Sequence, residues 1–195
     1  ILLMGEHYPV ITLGRGTHRE NVLNPTVPVI EIERGGDATY HGPGQLIVYP
    51  ILQLHQEERD LHRYLRTLEE SIIQTLAQFG LAGTRQPGWT GVWVEDPLSC
   101  ELRKIASIGV AVKRWVTYHG IGLNISTDLA AFEQLNPCGL SSKIMTSLET
   151  LLKNRDNPTG KGATSGPSRV PDLSQVKALY IESFCTCFNR SSKAV

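Results

Sequence analysis

The stretch ERGGDATYHGPGQLIVYPILQL, Glu33 to Leu54, most constrains what this chain can fold into. Gly35, Gly36, Gly42, Pro43 and Gly44 surround a Thr-Tyr-His core that runs directly into an apolar segment. Glycine permits backbone conformations and close approaches that a Cβ forbids. The segment therefore reads either as a plain turn or as a loop whose backbone must come near a ligand, with a strand behind it. Gly42-Pro43-Gly44 is the sharp turn that sends Gln45 to Leu52 back across a sheet. A phosphate cradle is disfavoured, because the stretch lacks the G-x-x-x-x-G-K-[ST] pattern and sits between strands rather than opening a helix.

VPVIEI before the loop and QLIVYPIL after it have strand character, as does TGVWVE after the turn-like TRQPGW. From Lys104, KIASIGVAV and WVTYHGIGLNIS predict an antiparallel hairpin around Lys113-Arg114. Leu61, Tyr64, Leu65, Leu68, Ile72, Leu76 and Phe79 recur at spacings of three and four, which predicts a helix from about Asp60 to Phe79, stopped by Gly80. Thr146-Ser147-Leu148-Glu149 fits a capping box for a short helix, and a last helix is expected over about Asp172 to Phe188. The polar, Gly/Pro/Ser-rich segment Asn154 to Pro171 between them is expected to be a mobile connection. Strands and helices do not alternate as a doubly wound sheet requires. The expectation is a single α+β domain over residues 1–195, with a mixed, largely antiparallel sheet and helices packed on it.

With 195 residues and 41% apolar content the chain can bury a real core. Its 19 basic and 19 acidic residues cancel, so global charge does not steer it to nucleic acid or to an anionic membrane. No apolar run is long enough to span a bilayer, and Glu6 and His7 interrupt the opening too early for a signal-peptide core. Without an initiator Met, the numbering is expected to begin inside a longer chain. Cys100, Cys138, Cys185 and Cys187 form no C-x-x-C pair, which points to a reducing, cytoplasmic setting. Cys187 continues the apolar stripe Val176, Tyr180, Phe184 and reads as core packing.

Cys138, in NPCGL, lies on a constrained turn where a thiol can be presented and the following N–H groups can converge on an oxygen. Its plain alternative is a small buried hydrophobe. A thiol becomes a nucleophile only when something takes its proton, and the candidates are Lys104, His41 and His119. Lys104 opens an apolar β run, where burial would lower its pKa; its alternative is a strand-end lysine in solvent. His41 and His119 each also fit a turn histidine capping carbonyls. No close-spaced chelating pair supports a Cys–His–His metal site, so no metal is expected.

RGGDATYHGPGQLIVYPILQL, RKIASIGVAVKRWVTYHGIGLNIS, NPCGL and TSLE, in this order, resemble the lipoyl(octanoyl) transferase family of lipoate biosynthesis, over roughly Met4 to Leu152. The last helix matches only loosely. The resemblance implies the catalytic fold shared with lipoate–protein and biotin–protein ligases. It implies transfer of an octanoyl group from acyl carrier protein to a lysine of lipoyl domains, those of 2-oxoacid dehydrogenase complexes and of the glycine cleavage H protein, with no cofactor. Carried over residue by residue, Cys138 is the acyl-thioester cysteine and Lys104 the lysine that lowers its pKa. Arg34, Gly35, Gly36, Asp37, Ala38, Thr39, Tyr40 and His41 match the substrate-binding stretch. Ser107, Ile108 and Gly109, and Gly120, Ile121 and Gly122, match two further substrate-contacting segments. The segment EDPLSCELR before Lys104 is longer than the family pattern and leaves Cys100 without a role. Two alternatives remain: an ATP-dependent lipoate–protein ligase on the same fold, and a non-catalytic module that docks lipoyl domains.

Overall fold

The computed structural model describes residues 1–157 and 171–193. In chain order, strands β1 (Leu2–Gly5), β2 (Val10–Leu13), β3 (Val29–Glu31), β4 (Thr39–His41) and β5 (Gln45–Pro50) precede helix α1 (Leu61–Ala77). Strands β6 (Gly83–Gln86), β7 (Trp89–Glu95), β8 (Leu102–Lys113) and β9 (Val116–Asn124) precede helices α2 (Leu148–Asp156) and α3 (Leu173–Phe188). The chain is α+β, with strands in two sheets rather than one. A six-stranded sheet has the order β1-β5-β9-β8-β7-β6, antiparallel throughout. A three-stranded sheet has the order β3-β2-β4, with β2 parallel to β3 and antiparallel to β4.

Helix α1 forms where its periodicity predicts. The Asp60 carboxylate caps it by accepting from Arg63 N at 3.0 Å, and Gly80, at φ +71°, turns the chain away beyond its end. Tyr64, Leu68, Ile72 and Leu76 form its buried stripe and pack with Val176, Tyr180 and Phe184 of α3 and with the large sheet. Burying each such aliphatic side chain is worth about 1.5–3 kcal/mol. Asp172 caps α3 in the same way, through Gln175 N at 2.7 Å. The β8–β9 hairpin turns at Arg114 and Trp115, both left-handed (φ 52° and 63°), one residue later than expected. Two left-handed residues in succession are the primed geometry that matches strand twist. The Arg59 guanidinium lies 5.2 Å from the Trp115 ring centroid.

Five local expectations change. Thr84 to Gln86, read as part of a turn, is strand β6, and only Pro87-Gly88 remain as the connection. Thr39 to His41, read as loop, is strand β4, paired with Val10 to Thr12. The cap of α2 is Ser147, whose Oγ accepts from Thr150 N, so its third helical residue is Thr150 and not Glu149. Asn154 to Asp156 form the last turn of α2, where Asn154 Nδ2 donates to the Asp96 carboxylate at 3.0 Å. The rest of the expected mobile connection, 158–170, lies outside the described residues. Cys187 is half-buried beyond the stripe it was expected to extend. No helix among the described residues is long and apolar enough to cross a membrane.

Candidate active site

Pairing of β8 with β9 places the two predicted triplets side by side: Ser107 opposite Gly122, Ile108 opposite Ile121, and Gly109 opposite Gly120. They line a cavity of about 480 Å³, within the range of small-molecule pockets. A wall of that cavity is the Gly-rich stretch, laid on β8 by a hydrogen bond from Gly35 N to Val110 O at 2.9 Å. Gly109 is where the two must touch: a Cβ there would lie 2.7 Å from Arg34 Cδ and 2.8 Å from Gly35 O. Leu61 and Leu65 at the start of α1, and Trp89 after the β6–β7 turn, complete the apolar side.

Arg34 is 6% exposed, and its guanidinium holds the wall together. Nη1 donates to Gly35 O (3.1 Å) and Asp37 O (2.7 Å), and Nη2 donates to Thr12 O (2.7 Å) and Thr12 Oγ1 (2.9 Å). A planar fork of this kind suits several convergent carbonyls in a way a lysine does not. Period-two alternation along β4 then sorts its residues. Thr39 and His41 line the cavity, whereas the Tyr40 ring packs 5.5 Å edge-on to Phe132 in a second apolar cluster with Ile11, Leu13 and Leu135. Tyr40 thus stands apart from the other residues of its predicted stretch, which all line the cavity.

His41 Nδ1 lies 2.7 Å from Gln45 Oε1, while Gln45 Nε2 donates to Asn124 Oδ1 (2.8 Å) and Tyr40 O (3.3 Å). With a carbonyl oxygen as its partner, Nδ1 carries the ring proton. Burial pushes the imidazole down to about 4, against a weaker upward pull from the Gln45 hydrogen bond, so the ring is neutral near pH 7. His119, at φ 57° in β9, is also lowered, first by burial and then by the Arg34 charge. Tyr49 joins His119 edge-on at 6.0 Å and shares a 2.7 Å hydrogen bond with His7 Nε2.

Lys104 is 2% exposed, which excludes the solvent-facing alternative. It lies two residues inside β8, opposite Trp93 of β7, with Nζ 5.6 Å from the Trp93 ring centroid. Space for its stem comes from Gly91, where a Cβ would sit 2.9 Å from Lys104 Cε. Gly91 N donates to Glu69 Oε1 at 3.1 Å. Glu69 is fully buried and balanced by Arg66 at 2.6 Å and Arg85 at 3.2 Å. Lys104 lines the cavity with Pro137, the first residue of the short 3-10 turn Pro137–Gly139. The Cys138 backbone forms the middle of that turn, and its side chain lies outside the described residues. Cys100, at φ 56° in the β7–β8 connection, is exposed and does not line the cavity.

Sequence reasoning missed Tyr49, Leu61, Leu65, Trp89 and Val110 as lining residues. Leu61 and Leu65 were assigned wholly to the helix core, yet Leu61 is 41% exposed. The position of Leu61 directly after the Asp60 cap, at the open end of the helix, was the signal the sequence offered. No group of three or more His, Cys, Asp or Glu among the described residues is placed to hold a metal ion.

A glycine-floored cavity on an antiparallel sheet, walled by an arginine-braced loop and flanked by a buried lysine, defines a class. The family model of the lipoyl protein ligase A/B catalytic domain matches residues 1–177. Solved structures agree in fold. Lipoate-protein ligase A bound with ATP superposes with TM-score 0.72 at 14% identity, covering 100% of this chain and 74% of that one. The bipartite lipoate protein ligase of Thermoplasma acidophilum gives 0.67 at 16% identity, covering 100% and 73%. Among sequence relatives, an octanoyltransferase of Geobacter metallireducens is 49% identical over 181 residues, 93% of this chain and 82% of the relative. One from Myxococcus xanthus is 39% identical over 196 residues, 97% of this chain and 51% of the relative. The chain belongs to the lipoyl protein ligase A/B catalytic domain family, and within it to the octanoyltransferases.

Proposed function

We propose that this chain transfers an octanoyl group from octanoyl-acyl carrier protein to a lysine amine of lipoyl domains, through a thioester on Cys138, in the cytoplasm. The observation that carries the mechanism is the burial of Lys104 in the wall of a cavity that also reaches Pro137, beside Cys138. An amine held in the cavity wall and shielded from water is placed to take a proton from a neighbouring group and give it back. Lys104 takes the Cys138 proton, and the thiolate attacks the thioester carbonyl. The carrier-protein thiolate leaves and takes the proton back from Lys104. The octanoyl chain lies along Ile108, Ile121 and Leu65, over the glycine floor. The lipoyl-domain amine then attacks the Cys138 thioester; Lys104 removes the amine proton and returns it to the departing Cys138 sulfur. Thioester to thioester to amide runs downhill and consumes no ATP. His41, neutral near pH 7 and offering an unprotonated Nε2, serves as a hydrogen-bond acceptor for the bound acyl donor.

The lipoyl domains of 2-oxoacid dehydrogenase complexes and of the glycine cleavage H protein are the acceptors this reading names. The octanoyltransferase name of relatives near 50% identity supports it over a ligase. Incubating the protein with octanoyl-acyl carrier protein and a lipoyl domain, without ATP, tests it. Octanoylated lipoyl domain is expected; a strict requirement for ATP and free octanoate would instead make the chain a ligase, and no transfer under either condition would leave a binding module.

A further inference from the structure

Asn21 is buried, 9% exposed, in a polar segment that carries none of the predicted site residues. Its side chain and its backbone bind different parts of the cavity. Nδ2 donates to Asp37 Oδ2 at 2.5 Å, while Asp37 Oδ1 accepts from Ala38 N (2.7 Å) and His18 N (3.3 Å). Asn21 O accepts from Asn136 N at 2.7 Å, and the flanking residues extend this contact through the Val22–Leu135 bridge and Leu23 N to Gln134 O at 2.9 Å. The Asn21 amide also lies beneath the turn, about 4 Å from where a Cβ on Gly139 would stand. Asp37 belongs to the substrate wall, and Asn136 to Gly139 are the turn that carries Cys138.

We infer that Asn21 is a positioning residue that sets the Cys138 turn in register with the Asp37 side of the cavity, so that the nucleophile meets the acyl carbonyl held there. It does not touch the reacting atoms. Its effect falls on the rate of acyl-enzyme formation and not on donor affinity, because the sheet floor, the apolar side and the Arg34 brace remain intact without it. Displacing a reacting group by an ångström costs up to about a hundredfold in rate. This inference rests on Cys138 being the nucleophile.

The test is a double-mutant cycle on the full chain: Asn21→Asp, Asp37→Asn, both together, and Asn21→Ala. Acyl-enzyme formation from octanoyl-acyl carrier protein is followed over a range of donor concentrations up to saturation, giving a limiting rate and a KM, and normalised to folded protein by thermal unfolding. Asn21→Asp sets two carboxylates face to face, and Asp37→Asn sets two amides face to face. The exchanged pair restores one donor and one acceptor, and the amide carbonyl oxygen that Asp37→Asn introduces can still accept from Ala38 N and His18 N. The expected result is a loss of roughly tenfold to a hundredfold in the limiting rate of Asn21→Ala and Asn21→Asp, with KM changed by less than about threefold. The double variant should be faster than either single variant of the pair, a coupling that a purely structural cost already removed by normalisation does not produce. Wild-type limiting rates in both Asn21 variants, or losses that simply multiply in the double variant, would overturn the inference. If Asn21→Ala does not fold, the exchange cycle alone decides. Cys138→Ser run in parallel separates the two readings: an acyl-enzyme formed without that thiol removes the nucleophile assignment itself.

Discussion

Lys104 sits within a twelve-residue strand of a six-stranded sheet, opposite Trp93, with its stem in the space Gly91 leaves. Cys138 rides on a three-residue turn whose hold on the cavity wall runs through Asn21 and a few backbone hydrogen bonds. The proposed base lies on an interior strand of the larger sheet, whereas the proposed nucleophile lies on a short turn outside both sheets. A base needs a water-poor, invariant setting to be tuned. In the proposed mechanism the thiol meets two protein substrates in turn, and the turn that carries it begins at Pro137 in the cavity wall. Perturbing the Lys104 side should therefore alter proton transfer, or the whole fold, and perturbing the turn should alter placement alone.

The largest expected effect is that of Lys104→Met. Removing a positioned proton acceptor should slow acyl-enzyme formation by about 10²- to 10⁴-fold and shift the pH profile of Cys138 alkylation upward, with the folded state retained. An unchanged alkylation profile would separate Lys104 from the thiol. Next is Ile72→Ala, in the helix that supports the large sheet. A fully buried isoleucine truncated to alanine should cost about 2–5 kcal/mol in denaturant unfolding, while acyl-enzyme formation per folded molecule stays at the wild-type level. Loss of activity beyond the unfolded fraction would contradict the view that this side acts as a rigid support.

The elements on each side of this contrast were legible in the sequence, but what holds the two residues in place was not, for physical reasons. The 107–109 and 120–122 triplets entered as site residues only through the family resemblance, whereas the helix α1 stripe and the β8 and β9 runs were readable because a 3.6-residue period and β-rich segments are local signals. The two-sheet arrangement was not, because β1, β2 and β4 span only three or four residues each. Tyr40 was grouped with its neighbours because the family resemblance takes 34–41 as one stretch, whereas β4 alternates and turns the Tyr40 ring toward Phe132. The burial of Lys104 and the role of Asn21 depend on partners distant in sequence: Trp93 and Met145 for one, Asp37 and Asn136 for the other. No window of sequence contains those pairs.

A smaller effect concerns His41, which burial holds near a pKa of about 4 against an ordinary 6.5. Between those values the unfolded chain binds a proton that the folded chain refuses. Stability should therefore fall as pH drops through that window, by an amount on the order of 3 kcal/mol at its acid end, and be unaffected by this residue above it. Unfolding of wild type and His41→Asn compared at pH 7 and pH 4.5 checks this; equal acid sensitivity would place the titration elsewhere. The smallest expected effect is that of Gly109→Ala. Its new Cβ would press on Arg34 and Gly35, so the loop must shift at a cost of about 1–3 kcal/mol. That cost should appear mainly as a raised KM for the acyl donor, with alkylation of Cys138 unchanged.

The central claim is a division of labour between a buried base and a turn-borne thiol, joined by an acyl-enzyme. Intact-protein and peptide mass spectrometry after brief exposure to octanoyl-acyl carrier protein, with neither ATP nor lipoyl domain, addresses it directly. One octanoyl group per chain is expected, located on Cys138, absent in Cys138→Ser and discharged to a lysine when a lipoyl domain is added. An octanoyl group on any other residue, or octanoylated lipoyl domain made at wild-type rate by Cys138→Ser, would contradict it.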